Sequence, residues 1–460
     1  MQSGQIHPAQ LVFLVLLLFV VFFAALARKL QTPYPIVLVI AGLLLSFIPG
    51  TPEITLHPDV VFWVVLPPLL YAAAWLTSWR DFKENLVSIL LLAFGLVGFT
   101  VLGVAGAANL LFPGFDWRLG CVLGAVIAPT DAIAATSIAK RLGLPQRIVD
   151  ILEGESLVND ASGLLALNFS LTMVMEGRTP PAWTAITRLI FLIAAGLTIG
   201  LVVGLIVKWI ERRIDDGPIE IALSILTPYA AYLAAEYAHA SGVLAVVACG
   251  LYLSRHSSQF FSANVRLQAS AVWDSLTFII NGLVFVLIGL QLPQVLQGIR
   301  DYEIGPLLLY GVLFSAIVIV LRLLWTFPGA RLAYLVRTRI LRQSYPRPPV
   351  KQVFVAGWTG MRGVVSLAAA IALPEALPDG RAFPQRNLIV FLTFSVILVT
   401  LVLQGLTLPS LIRALGLAGS GGDRAEEDEA RRIIASAALA YLEEARGAGL
   451  AEFCGGLRRY

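Results

Sequence analysis

The sequence predicts an all-α polytopic membrane protein with thirteen transmembrane helices. Of its 460 residues, 58% are hydrophobic and 13% are charged, and the mean hydropathy is +0.82. Soluble domains contain fewer apolar and more charged residues, and the repeated stretches of roughly 20 apolar residues have the length that a helix needs to cross a bilayer. We therefore expect the chain to be embedded in the lipid bilayer and to have no nucleic-acid partner.

The first apolar stretch, 11–27, is predicted to be an uncleaved span. No Lys or Arg precedes it, whereas Arg28 and Lys29 follow it, which is typical of a first span with its charges inside rather than of a signal peptide. The predicted spans are 11–27, 33–49, 58–77, 86–112, 117–139, 149–174, 183–208, 219–238, 241–254, 270–292, 304–327, 352–374 and 387–414.

The distribution of basic residues supports this count and predicts the orientation. With the amino terminus outside, eighteen Lys and Arg residues lie on cytoplasmic connections and helix ends, and six lie on the outer ones. Such an excess on alternate connections is what the positive-inside rule predicts. One span more or fewer would scramble the pattern, so the carboxyl terminus is expected in the cytoplasm.

Spans 1–6 and 8–13 form two groups of six around one central helix. Corresponding spans are seven apart and therefore run in opposite directions, which is typical of an inverted repeat. Span 5 contains Pro129 next to Thr130 and Asp131, and its counterpart, span 12, contains Arg362 among three glycines, Gly357, Gly360 and Gly363. Proline removes a backbone donor and glycine weakens a helix, so both spans are candidates for unwinding inside the membrane.

Matching discontinuous helices in two halves indicate the substrate site of a transporter. Pro129 could instead only kink its helix, and the glycines could only allow close helix packing. The functional interpretation is favoured because each interruption coincides with an intramembrane charge, which is costly and usually marks a pathway or an ion pair.

The stretch "GESLVNDASG", 154–163, places polar groups on two faces of span 6. Helical spacing puts Glu153, Ser156 and Asp160 on one stripe, and Glu155 and Asn159 on a neighbouring one. One helix therefore offers a carboxylate on each of two faces.

These acids are predicted to divide two tasks. We expect Glu155 to form a buried ion pair with Arg362 that fixes the core. Asp160 would then have no dedicated cation, and a carboxylate removed from water without a partner can hold either a proton or a desolvated monovalent cation.

Oxygen ligands suit a hard cation, and Asp160, the hydroxyls of Ser156 and Thr130, and carbonyls freed at Pro129 can supply them. For Asp131 two interpretations stay open. It could contribute to a polar pocket at the ion site, or it could cap the exposed amides of a half-helix.

Six motifs in order, "LPPLLYAAAW", "APTDAIAATSI", "EGESLVNDASG", "SGVLAVVACGLYLS", "SLTFIINGLVFVLIGLQL" and "GWTGMRGVVSLAAAIALP", resemble the bacterial sodium/proton exchangers of the monovalent cation:proton antiporter family 1. The resemblance implies an inverted-repeat fold whose discontinuous spans 5 and 12 cross. It also implies a homodimer in the bacterial inner membrane and transport of Na+ (or Li+ or K+) and H+ without a cofactor.

The resemblance also implies a division into parts. The antiporter domain is expected at 1–415, with a moving core at about 86–174 and 304–414, a dimerisation scaffold at about 11–77 and 219–292, and a linker span at 183–208. A cytoplasmic helical tail is expected at 416–460.

The resemblance assigns roles to single residues in an elevator-like cycle. Asp160 matches the acid that binds the ion and the proton, and Asn159 stands where electroneutral members have Asn and electrogenic relatives have a second Asp. The other matches are the ligands Thr130 and Ser156, the acid Asp131 of the unwound span, and the core pair Glu155 and Arg362.

Two positions leave questions open. Several exchangers have Glu after the aromatic residue of the span-3 motif, but here Tyr71 is followed by Ala72, so Na+ is the expected cation and K+ is the alternative. Arg322, placed by the predicted spans near the cytoplasmic end of span 11, could extend to the interface or pair with the core.

Two other classes of protein share single features with this sequence. A cation channel could use unwound carbonyls as a pore lining, but no filter segment is repeated. An intramembrane aspartic protease could use Asp131 and Asp160, but no Gly-x-Gly-Asp surrounds either acid. The sequence therefore predicts a transporter and not an enzyme.

Overall fold

The computed structural model describes residues 8–48, 56–112, 115–177, 181–300, 302–343, 345–419 and 423–447. Within these ranges the regular structure is helical, apart from one isolated antiparallel bridge between Ala376 and Ala382. Cys121 and Cys249 are buried free thiols, and Cys454 lies outside the described residues.

The helices follow the apolar segments of the sequence. In chain order they are α1 (Pro8–Lys29), α2 (Tyr34–Ser46), α3 (Pro58–Leu76), α4 (Trp79–Leu111), α5 (Trp117–Ile127), α6 (Ile133–Arg141), α7 (Gln146–Glu176), α8 (Ala182–Glu211), α9 (Gly217–Tyr237), α10 (Gly242–His256), α11 (Ala263–Leu290), α12 (Leu292–Gly298), α13 (Ile304–Ile340), α14 (Val350–Trp358), α15 (Val364–Ile371), α16 (Arg386–Ala414) and α17 (Asp423–Gly447).

Nine helical segments within the described residues are long and apolar enough to cross a membrane. They comprise α1, α3, α4, α7, α8, α9, α11 with α12, α13 and α16, and two shorter apolar helices, α2 and α5, accompany them. Every predicted span coincides with one of these helices, with α10, or with a pair of half-helices. The exact number of crossings stays a prediction.

Two predicted spans are interrupted where the sequence places its helix breakers. The first gap, 128–132, separates α5 from α6 and contains Pro129, and the second, 359–363, separates α14 from α15 and contains Gly360 and Gly363. An interruption of this kind leaves some backbone N–H and C=O groups without helical partners, and these groups must bond elsewhere.

Glycine allows two helix pairs to approach closely. A Cβ on Gly124 of α5 would lie 2.7 Å from Cα of Val101 on α4, and one on Gly289 of α11 would lie 2.6 Å from the backbone N of Leu43 on α2. Small residues at such contacts are typical of membrane helices, because dispersion contacts rather than the hydrophobic effect hold them together.

The connections predicted to be cytoplasmic meet at one end of the molecule, here called the basic end. Arg141 after α6 donates to the carbonyl of Gln31 after α1 at 2.5 Å. The ring of Tyr345 has two guanidinium groups beside it, from Arg147 at the start of α7 and from Arg337 of α13. The Cζ atom of each lies 4.0 Å from the ring centre. The helix ends that carry the excess of basic residues therefore converge.

Candidate functional site

The two helix interruptions contact each other, and their backbone groups bond across the contact. The backbone N–H of Asp131 donates to the carbonyl of Met361 at 2.8 Å. Arg362 donates through Nε to the carbonyl of Ile127 at 2.8 Å and through a terminal nitrogen to the carbonyl of Gly360. Carbonyls freed by both interruptions are thus satisfied by one buried guanidinium, which is 1% exposed.

The predicted pairing of Glu155 with Arg362 is wrong, because Glu155 pairs with Arg322 of α13. The two guanidinium nitrogens of Arg322 lie 2.5 and 2.9 Å from the two carboxylate oxygens of Glu155, in a bidentate arrangement. Both side chains are about 2% exposed. Arg322 therefore neither extends to the interface nor lies free, and Arg362 is already engaged by backbone carbonyls.

Thr130 and Asn159 belong to the polar network around this ion pair. The hydroxyl of Thr130 donates to Glu155 at 3.1 Å and accepts from the amide nitrogen of Asn159 at 2.6 Å. The same amide nitrogen lies 3.3 Å from the carbonyl oxygen of Thr130. Asn159 thus connects α7 to the first helix interruption through a neutral hydrogen-bond donor. This agrees with the predicted stripe of α7 that carries Glu155 and Asn159, separate from the stripe that carries Asp160.

Asp131 and Ser156 satisfy the first backbone amides of α6. The carboxylate of Asp131 accepts from the backbone N–H of Ile133 at 2.8 Å, and the Ser156 hydroxyl accepts from Ala132 N–H at 3.4 Å. Negative charge at a helix N-terminus is stabilising, so the geometry supports the capping interpretation of Asp131.

Asp160 lies in a cavity of about 370 Å³ beside the contact between the two interruptions. The residue is 9% exposed, and its carboxylate makes no hydrogen bond or ion pair with the part of the chain that the structure describes. Thr130, Asp131, Ser156 and Glu153 line the same cavity. The stripe that spacing placed on one face of α7 therefore borders a single space.

The opposite wall of the cavity comes from α3 and α11. Ala72, where several exchangers have Glu, lines this wall. Asn281 of α11 also lines it, and we did not single out this residue from the sequence. Its signal was present, since an amide inside the apolar motif "SLTFIINGLVFVLIGLQL" is unusual in a membrane helix.

The cavity extends from Asp160 towards the basic end. Lys140 at the end of α6 and Glu153 on α7 line it there and form a salt bridge at 2.7 Å. In the sequence, Lys140 is one of the eighteen basic residues assigned to the cytoplasmic side, and Glu153 is part of one polar stripe of span 6. Their pairing depends on how α6 folds back against α7, which spacing along the chain does not give.

Comparison with known proteins connects this site to a family. The sequence profile described as sodium/hydrogen exchanger, transmembrane, matches residues 14–414. An uncharacterized Na+/H+ exchanger of Mycobacterium tuberculosis is 36% identical over 427 residues, covering 92% of this chain and 78% of that protein. The sodium, potassium, lithium and rubidium/H+ antiporter of Bacillus subtilis is 32% identical over 389 residues, covering 82% of this chain and 58% of that protein.

The fold has a solved counterpart. The structure of the sodium proton antiporter MjNhaP1 from Methanocaldococcus jannaschii matches with a TM-score of 0.68 at 20% identity, covering 87% of this chain and 97% of that one. At this identity the likeness concerns the fold alone. The family is shown by the sequence profile and by the sequence relatives. The chain therefore belongs to the sodium/hydrogen exchanger family of transmembrane antiporters.

Proposed function

We propose that this protein exchanges one monovalent cation, Na+ in the first place, for one proton, and that Asp160 binds both in turn. The observation that carries the proposal is the contrast on α7. Glu155 is neutralised by Arg322 at 2.5 Å, whereas Asp160 faces the cavity without a partner among the described residues. Burial disfavours a bare carboxylate charge, so a buried carboxylate without a paired cation can be neutralised by a proton or by a metal cation.

The charges around Asp160 favour electroneutral exchange. Asp160 carries the same net charge with a proton as with Na+, so the loaded site does not change charge during the cycle. Asn159 adds no second acid, because it is an amide that donates to Thr130. Because one carboxylate serves both species, lowering the pH should raise the apparent KM for the cation through competition.

The remaining oxygen ligands for the cation come from around the cavity. Ser156 and Thr130, which line the cavity together with Asp160, would provide hydroxyl oxygens, and Asp131 would contribute negative charge while capping α6. Hard monovalent cations prefer such oxygen donors. With Ala72 in place of an acid, the site has fewer charged ligands, which is why K+/H+ exchange is the second candidate. A relative named for sodium, potassium, lithium and rubidium supports that alternative.

Transport would follow alternating access. The core at about 86–174 and 304–414 would carry Asp160 past a scaffold at about 11–77 and 219–292, linked by the span at 183–208. The cavity lies between α3 and α11 on one side and α6, α7 and α15 on the other, which supports this division. We place the protein as a homodimer in a bacterial inner membrane, with the basic end and the helical tail in the cytoplasm.

Proteoliposomes containing the purified protein test the proposal. An imposed Na+ gradient should dissipate a proton gradient, and clamping the membrane potential at zero should not slow this process. Asp160→Asn should abolish it while leaving the protein folded. Single-channel currents, or cation flux that is independent of protons, would contradict antiport and favour a channel.

A further inference from the structure

We propose that Lys140 and Glu153 form a charge gate at the basic end of the ion cavity, which sets how readily a cation reaches Asp160. This inference rests on the proposed function and deepens it. It follows from three observations: both side chains line the cavity that contains Asp160, they form an ion pair at 2.7 Å, and the pair is only partly buried.

Glu153 stands on the path to the ion site. It lies on the same stripe of α7 as Ser156 and Asp160, and all three border one cavity. Seven residues of α-helix separate Glu153 from Asp160, which corresponds to about 10 Å along the axis. A cation entering from the basic end would therefore pass the Glu153 carboxylate before it reaches the Asp160 carboxylate.

The exposure of the Lys140–Glu153 ion pair allows its two charges to separate. The Lys140 side chain is 57% exposed and that of Glu153 is 27% exposed, so water competes for both charges. Solvated ion pairs of this kind are weak, unlike a buried pair such as Glu155 with Arg322. Lys140 lies near the end of α6, the half-helix that follows the first interruption, so a shift of α6 against α7 would separate the charges.

Each state of the pair has a different effect on a cation. When the pair is closed, Glu153 is neutralised and the ammonium group of Lys140 stays at the mouth. When it is open, the Glu153 carboxylate attracts a cation. Asp150, one helical turn earlier on α7, accepts from Gln146 at 2.9 Å and adds a second acid near the mouth. The neighbouring Arg141 is engaged elsewhere, by the carbonyl of Gln31.

Removing one charge at a time should therefore shift cation affinity in opposite directions. Lys140→Gln frees Glu153 and should lower the apparent KM for Na+, whereas Glu153→Gln leaves the ammonium unopposed and should raise it. For unit charges about 10 Å from the site in a partly aqueous mouth, each shift is expected to be about two- to fivefold. Added inert salt should shrink both shifts, because charges at this separation are screened at about 0.1 M.

Everted membrane vesicles, with the basic end facing the medium, provide the test. Apparent KM for Na+ is measured for both variants at low and high ionic strength. Lys29→Gln is the matched control, since it removes the same charge from an exposed position at the end of α1 that does not line the cavity. Opposite KM shifts that shrink with salt, with KM unchanged in the control, are the expected result.

Three results would overturn the gate: KM shifts in the same direction for both variants, no shift in either, or an equal shift in Lys29→Gln. A purely structural pair would change maximal rate and stability without this salt-dependent split in KM. The same vesicles report proton-coupled exchange by the unmodified protein and its loss in Asp160→Asn. Failure of the proposed function is thereby separated from failure of the gate.

Discussion

Two acids five residues apart on one helix have opposite surroundings in this protein. Glu155 is 1% exposed and is held by both terminal nitrogens of Arg322, while Thr130 donates a further hydrogen bond to it. Asp160 is 9% exposed and faces a cavity without a partner among the residues that the structure describes. A fully satisfied carboxylate fixes structure, and an unsatisfied one is available for exchange.

The largest expected effect comes from removing the available acid. Asp160→Asn keeps the volume of the side chain but cannot carry either ion, so coupled exchange should fall below detection in proteoliposomes. Asp59→Asn, an exposed acid at the start of α3, is the matched control and should retain exchange. Residual proton-coupled exchange in Asp160→Asn would mean that another group carries the ions.

The next effect concerns the satisfied acid. Arg322→Gln would leave Glu155 buried without its cation, and breaking a buried pair from one side costs about 3–5 kcal/mol of unfolding free energy. Stability in detergent measures the loss. Glu155→Gln together with Arg322→Gln should recover part of it, because no lone charge stays buried.

A double-mutant cycle tests whether Arg322 or Arg362 is the partner of Glu155. The coupling energy between Glu155 and Arg322 should exceed that between Glu155 and Arg362, because only the first two form the bidentate contact. Equal coupling, or stronger coupling to Arg362, would restore the pairing expected from the sequence.

A smaller effect is expected at the contact between the two interruptions. A Cβ on Gly363 would lie 2.6 Å from Cβ of Asp131 and 2.9 Å from its Cγ. Gly363→Ala should therefore displace Asp131 and cost about 1–3 kcal/mol of unfolding free energy. Gly106→Ala on α4, where a Cβ meets nothing within 4 Å, is the control. If both variants are equally stable, the contact between the two interruptions is not tightly packed.

The smallest of these effects concerns a single neutral ligand. Ser156→Ala removes one oxygen next to Asp160, and one contact to a charged group is worth about 1.5 kcal/mol, so the KM for Na+ should rise about tenfold. Ser170→Ala is the control, because its hydroxyl bonds the carbonyl of Ala166 on the same helix, away from the cavity. An unchanged KM in Ser156→Ala would remove Ser156 from the ligand set.

The comparison also separates what sequence could predict from what it could not. Helix positions followed from apolar length, and the two interruptions followed from Pro129 and the glycines around Arg362, because these effects are local to the chain. The face of α7 that borders the cavity followed from helical spacing. Each of these predictions needs only one segment of sequence.

The partner of Glu155 could not be predicted in this way. Arg322 and Arg362 are both buried, and the choice between them as the partner of Glu155 depends on how α13 and the second interruption pack around α7. The contributions of Asn281 and Lys140 to the cavity depend on tertiary packing in the same sense. Arg362 lies in the second interruption, as predicted, but its bonding to backbone carbonyls follows only from the geometry of both gaps.

Proton release on cation binding tests the central claim most directly. Purified protein in weakly buffered detergent solution is titrated with Na+ near the pH at which half of the sites are protonated, and the protons released are counted. Since one carboxylate holds either ion, Na+ should displace protons at a ratio that approaches one per cation as the pH is lowered, and Asp160→Asn should release none. Undiminished proton release in Asp160→Asn would contradict the account. So would Na+ binding to the unmodified protein that releases no protons over the whole pH range, including pH values at which the site is protonated.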